Sequence, residues 1–205
     1  MKKVISIGLI GFAVIAIAGV IVLRTIAAKE APTRSKEISP KAAKILQQKI
    51  DAMKASENNP KHKRGSVHVE TTESELESYL VYSLKEDIPA QIDSATVKLG
   101  QDSVSLDTQI TFTSNATGNP VVDAVVGGTH NLYLKGKLVG QDGRGRFDLE
   151  DIRVDSIPVP NVLIQTLIKR YVKPKYPDVD LNEPFDIPWG IREIKVEDGK
   201  ATIIY

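Results

Sequence analysis

The sequence predicts an α+β domain, a curved antiparallel sheet wrapped on amphipathic helices, behind one N-terminal transmembrane helix. Three observations predict it. Apolar residues alternate along several short segments without regular strand–helix alternation, two further segments carry apolar stripes at helical spacing, and one N-terminal run lacks charge altogether.

The uncharged run is Val4 to Leu23, 20 residues flanked by Lys2, Lys3 and Arg24. At a rise of about 1.5 Å per residue it spans about 30 Å, the thickness of a bilayer's hydrocarbon core. It has no polar face, so a core helix is disfavoured. It exceeds the apolar region of a signal peptide, and Ile26-Ala27-Ala28 is a poor cleavage site. An uncleaved single-pass anchor is therefore expected, with Val4, Leu9, Phe12, Val20 and Leu23 facing lipid. The short Met-Lys-Lys start favours an extracytoplasmic, periplasmic domain. The basic residues after the span point the other way, but that rule is weakest for long domains.

Charge divides the rest. Arg24 to Arg64 holds 11 Lys/Arg against 4 Asp/Glu, net +7, and Gly65 to Tyr205 holds 14 against 22, net −8. The expected organisation is an anchor over 1–27, a basic linker with one amphipathic helix over 28–64, and a soluble α+β domain over 65–205. A basic linker near anionic headgroups gains about 1 kcal/mol per Lys or Arg. Within it, Ala42, Ile45, Leu46, Ile50 and Met53 predict a helix from Lys41 to about Ser56, lying on the membrane or packed on the domain. Lys61-His-Lys-Arg64 reads as a solvated basic cluster.

In the domain, Ser66 to Glu70 reads as a strand. Thr72 and Glu75 form a capping box, and Leu76, Leu80 and Leu84 make the apolar stripe of a helix that Ile88-Pro89 ends. Glu73, Glu75 and Glu77 suit the positive end of its dipole. Ala95, Val97 and Leu99, then Val104, Leu106, Ile110 and Phe112, predict a hairpin turning at Gly100-Gln-Asp102. After a loop from Thr113 to Gly128, Leu132, Leu134 and Leu138 alternate in the next strand, and Asp142-Gly143 turns it. Phe147 and Leu149 continue the pattern, which Ile152 and Val154 resume one residue out of step; such a slip predicts a bulge. Ile157-Pro-Val-Pro160 breaks the sheet before a second helix, Asn161 to about Val172, with Leu163, Ile164, Leu167, Ile168 and Tyr171 on its apolar face. A Pro-rich stretch, Lys173 to Pro188, leads to a hairpin of Ile194 and Val196 against Ala201, Ile203 and Tyr205, turning at Asp198-Gly199.

Catalytic and metal constellations are not evident. Cysteine is absent, which removes disulfides and thiolate chemistry. His62, His68 and His130 lack partners at ligand spacing. Asp148, Glu150, Asp151 and Asp155 diverge to both faces of a strand and read as solvated. No phosphate-cradling glycine motif or serine elbow occurs, and a net −8 domain is a poor nucleic-acid binder. No enzyme activity, cofactor or nucleic-acid partner is expected.

Thr71-Thr-Glu-Ser-Glu-Leu-Glu-Ser-Tyr-Leu80, Ile157-Pro-Val-Pro160 and Pro184-Phe-Asp-Ile-Pro-Trp-Gly-Ile-Arg-Glu-Ile-Lys-Val-Glu-Asp-Gly199 occur in this order. Together they resemble bacterial phospholipid-binding proteins of the lipomannan-elongation type, in the TULIP-like (tubular lipid-binding) superfamily, over about Ser66 to Tyr205. The resemblance implies a long helix along a curved sheet with acyl chains held in the channel between them. It would place Leu76, Leu80, Leu84, Ile110, Phe112, Leu132, Leu134, Leu138, Phe147, Leu149, Leu163, Leu167, Ile168 and Ile194 on that channel. The implied partners are the lipid bilayer and a phospholipid or other acyl lipid. The alternative is an anchored envelope scaffold with a closed core that recruits an envelope protein.

Overall fold

The computed structural model describes residues 38–57, 59, 62–83, 90–112, 128–160, 162, 164–165 and 183–205. The first helix, α1, runs Pro40–Glu57. Ser39 caps it, its Oγ accepting from Ala42 N at 3.1 Å, and Pro40 takes the first helical position, where a missing N–H costs nothing. Ala43, Leu46, Ile50 and Met53 are buried, whereas Ile45 is exposed, so the buried face is rotated by one residue at its N-terminal end from the expected one. It packs against the second helix and against Ile187, Trp189, Ile191, Ile203 and Tyr205. Of the two dispositions open to this helix, packing on the domain is the one adopted. Lys49 shows how opposite charge helps: its Nζ lies 2.6 Å from Glu75 and also donates to the Glu70 carbonyl.

Strand β1 is His68–Thr72, and α2 follows at Glu73–Tyr82. The expected capping box is present, with Glu75 N donating to Thr72 Oγ1 and Thr72 N to Glu75 Oε2. The fully buried face of α2 is Glu77, Ser78 and Val81, while Leu76 and Leu80 are half-buried at its edge. Leu84 lies outside the described residues, as does the expected Ile88-Pro89 stop.

The long strands are β2 (Ala90–Gly100), β3 (Ser103–Phe112), β4 (Gly128–Gln141) and β5 (Arg144–Val154). Two-residue β6 (Ile157–Pro158) and β7 (Phe185–Asp186) precede the closing hairpin of β8 (Glu193–Glu197) and β9 (Lys200–Ile204). All pairings are antiparallel, along the path β1-β9-β8-β4-β3-β2, with β5 also on β4. β4 is the spine. One of its edges carries β3 from Gly128 to Lys137 and then meets β8 at Gly140, and the other carries β5. The Pro-rich stretch holds the short β7 because β5 offers it an edge at Arg144 and Gly145.

Register shifts fall at Asp93 in β2 and at Glu150 in β5. The second lies where the apolar parity slips between Leu149 and Ile152, and each extra residue raises local twist. Opposite this bulge, Gly136 leaves room for the Phe147 ring, which an added Cβ would strike. Of the expected second helix, Val162, Ile164 and Gln165 are described as helical and Ile164 is buried; Leu163, Leu167, Ile168 and Tyr171 lie outside. No helix among the described residues is long and apolar enough to cross a membrane. The Val4–Leu23 run, with Leu9, Phe12 and Val20, lies outside them.

Lys200 on β9 reaches Glu70 on β1 at 2.9 Å. Its hydrogen bond and charge hold the Glu70 carboxyl below the usual carboxylate range, and Glu70 in turn holds the ammonium above its ordinary value. The depressed carboxyl contributes stability above its unfolded pKa, lost as pH falls through the lowered folded value; the raised ammonium contributes below its unfolded pKa, lost as pH rises through the raised one. Both groups are exposed, so Glu70→Gln is expected to lower Tm slightly at low salt. The difference disappears near 1 M salt, where the Debye length is about 3 Å. Paired thermal melts at the two ionic strengths check this.

Candidate functional site

Nine of the residues expected on a channel meet in one apolar cluster. Ile110, Leu132, Leu134 and Phe147 are buried in it, and Leu76, Leu80, Leu138, Leu149 and Ile194 are half-buried against it. They come from α2, β3, β4, β5 and β8, so strand parity and helix spacing put them on the same side of one sheet. The cluster also takes in Val81, Ile92 and Val159, which the periodicity did not single out. Val81 follows Glu77 and Ser78 on the helix, and those polar neighbours mask the stripe. Leu84, Leu163, Leu167, Ile168 and the Phe112 side chain lie outside the described residues.

The cluster has a dry centre and a wetter margin. Leu132 and Leu134 are 0% and 1% exposed, so they border no space that admits even a water molecule. Leu76, Leu80, Val104, Leu138 and Leu149 are half-buried against the cluster. In this conformation the central leucines pack on one another and on their neighbours.

Helix α2 is fastened to the sheet by its own carboxylates. β2 ends the strand path, so its outer N–H groups face no strand among the described residues. Glu77 Oε1 accepts from Val97 N at 2.9 Å, and Glu73 Oε1 accepts from Leu99 N at 2.8 Å. The spacing explains the fit. Residues four apart on a helix are about 6 Å apart along its axis, and residues two apart on a strand about 6.8 Å. The Glu77 side chain is buried, a costly place for a carboxylate that these charge-assisted bonds offset. The glutamates expected to serve the helix dipole thus also close a sheet edge. Glu75, between them, takes Lys49 of α1.

A separate cleft of about 300 Å³ opens where α1 ends, lined by Ser56, Glu57, Asn59, His62, Arg64, Trp189 and Gly190. Trp189 is buried beside Leu46, Ile50 and Met53, and Lys54 Nζ lies 5.3 Å from its ring centroid. Its φ of 61° is left-handed, as is the 69° of Gly190. For a bulky side chain that conformation costs about 1–2 kcal/mol, and such strain gathers at functional sites. The His62 ring stacks on Tyr205 with centroids 5.4 Å apart, and its Nε2 is buried without a hydrogen-bond partner among the described residues. Neither the basic cluster nor Trp189 announced this meeting, because the segments lie far apart in sequence.

Among the described residues, no group of three or more metal-ligating side chains converges. The acidic residues of β5 and the turn after it each meet a cation or a ring nitrogen. Asp148 pairs with Arg146, Asp151 with Arg153, Glu150 with Lys135 and Lys137, and Asp155 with His130 Nδ1 at 2.8 Å.

No protein-family model matches the chain, and no curated protein matches it. Among solved structures it is similar to a crystal structure of lipopolysaccharide binding protein, at 11% identity over 89% of this chain and 46% of that one, with a TM-score of 0.26. The chain thus spans less than half of that protein's length, and a likeness at this TM-score carries no argument about function.

Proposed function

We propose that the chain is a membrane-tethered lipid-binding protein that holds acyl chains between α2 and the sheet, and that it performs no catalysis. The observation that carries this reading is the convergence of nine side chains from five elements on one apolar interior with a half-buried rim. An acyl chain enters where Leu76 and Leu80 line that rim, and α2 moves away from the sheet to admit it. A methylene drawn from water gains about 0.8 kcal/mol and one drawn from a bilayer gains little, so binding rests on the acyl chain replacing the contacts that α2 gives up. The bulges at Asp93 and Glu150 favour the curvature such a sheet needs. The uncharged Val4–Leu23 run supplies the tether, and the domain stands on the extracytoplasmic side.

The dry centre favours a second reading, an anchored envelope scaffold whose core stays closed and whose partner is a protein. The two differ in where a lipid goes. The full chain in membranes containing a phospholipid with a photoreactive acyl chain is expected to crosslink within the peptides bearing Leu132 to Leu138 and Phe147 to Leu149. Label confined to Val4–Leu23 would overturn the lipid reading and leave the scaffold.

A further inference from the structure

Helix α1 uses its two sides differently. Ala43, Leu46, Ile50 and Met53 bury one side on the domain, while Lys41, Lys44, Gln48 and Ala52 are exposed on the other. We propose that the N-terminal half of the exposed side docks on the surface of an anionic bilayer, the buried side staying on the domain.

The four lysines of α1 divide in the same way. Lys49 pairs with Glu75, and Lys54 covers the Trp189 ring. Lys41 and Lys44 are exposed and make no ion pair among the described residues. The first acidic residue of the helix is Asp51, so this half is purely basic. Lys41 stands in the first turn, where the positive end of the helix dipole disfavours a cation. Its place there costs the helix stability, and an anionic surface offsets that cost. Gly65 to Tyr205 carries a net charge of −8, so the same surface repels the body of the domain and attracts this face.

Apolar groups stand beside the two lysines. Ile45 is exposed on the flank of the same face, next to Lys44. Ser39 N donates to Ser78 Oγ and Lys49 reaches Glu75, so the C-terminal half of α2 lies by the start of α1. Tyr82, one turn beyond Ser78, is also exposed there. Lysines flanked by an aliphatic residue and a tyrosine suit a bilayer surface, with the charges at the headgroups and the apolar parts just below them.

Reach agrees with this, and here the proposal rests on the tethered reading. The 16 residues Arg24 to Ser39 separate the uncharged run from α1, at most about 55 Å of extended chain. A tether of that length keeps α1 at high effective concentration near the surface, so two lysines suffice for a contact that would be weak from free solution.

The chain has no cysteine, so Gln48→Cys places a single environment-sensitive label on the exposed face. Gln101→Cys provides a control at the β2–β3 turn, near Glu73 at the other end of α2. The full chain is reconstituted in vesicles of phosphatidylcholine alone or with equimolar phosphatidylglycerol. On the anionic vesicles the label at 48 is expected to shift its emission to the blue and to lose quenching by aqueous iodide, while the label at 101 does neither. Lys41→Gln combined with Lys44→Gln should weaken docking about 30-fold, about fivefold for each lysine. The double variant should melt no lower than its parent, because the dipole disfavours Lys41 where it stands. Trp189, the single tryptophan, is buried beside Met53, so its emission in the unlabelled chain should stay unchanged as α1 remains on the domain.

A label at 48 that stays in water on anionic vesicles, or responds equally on phosphatidylcholine alone, would overturn the proposal. So would the same response at 101, an unaltered response in the double variant, or a shift in Trp189 emission, which would mean that α1 leaves the domain. An alkaline carbonate wash reads the tether separately. Chain retained through the wash with its label in water leaves the tether standing and removes the docking; a docked label on chain that the wash strips does the reverse.

Discussion

Leu132→Ala is expected to lower the unfolding free energy by about 3–4 kcal/mol, near the middle of the range for fully buried leucines. The side chain is 0% exposed at the centre of β4, which pairs with β3 on one edge and β5 on the other. Strands held on both edges collapse poorly into a void, so most of the cavity remains and its full cost is felt. Urea unfolding should show a lower midpoint with an unchanged slope. The same variant bears on function. If acyl chains occupy the interior, added lipid should recover part of the lost stability, because a ligand that binds only the folded state stabilises it by mass action. In a permanently closed core, lipid should leave the variant's midpoint where it was.

Glu77→Ala is expected to cost about 3 kcal/mol, although the residue is a glutamate on a short helix. The substitution removes a charge-assisted acceptor and leaves Val97 N without its partner at a buried sheet edge, both expensive changes. Glu77→Gln keeps an acceptor oxygen and should lose about half as much. Glu73→Ala should lose less than Glu77→Ala because Glu73 is only half-buried. Hydrogen exchange provides the local measurement: Val97 and Leu99 amides should lose protection in the two alanine variants respectively. If both amides stay protected, the carboxylates are not what fastens α2 to β2.

Much of the sheet was legible in advance, and for a definite reason. Strand parity is a local property, so Leu132 and Leu134, or Leu106 and Ile110, show their shared face without reference to anything distant. The bulge at Glu150 was visible as the slip between Leu149 and Ile152, and the capping box at Thr72 as a four-residue pattern. The buried face of α2 was not legible. By hydrophobicity alone Leu76 and Leu80 should point inward, yet Glu77 and Ser78 do, because β2 offers outer N–H groups and Ser39 N donates to Ser78 Oγ. Helix periodicity registers apolar partners and cannot register a strand's unpaired amides.

The candidate cleft was hidden for the same kind of reason. His62 and Arg64 read as part of a solvated cluster, and Trp189 entered only as one residue of the closing Pro184–Gly199 motif. They meet because α1 lies on the domain and buries Met53 beside Trp189, a contact between segments more distant than any motif spans.

By itself, then, the sequence determined the alternating strands, the cap of α2, the place of the bulge in β5 and the uncharged N-terminal run, all properties of neighbouring residues. Only the tertiary structure decided that α1 belongs to the packed body, that two glutamates complete the edge of β2, and that nine apolar side chains share one interior. Each of those depends on groups brought together across the chain, where burial and unmet hydrogen bonds outweigh local preference.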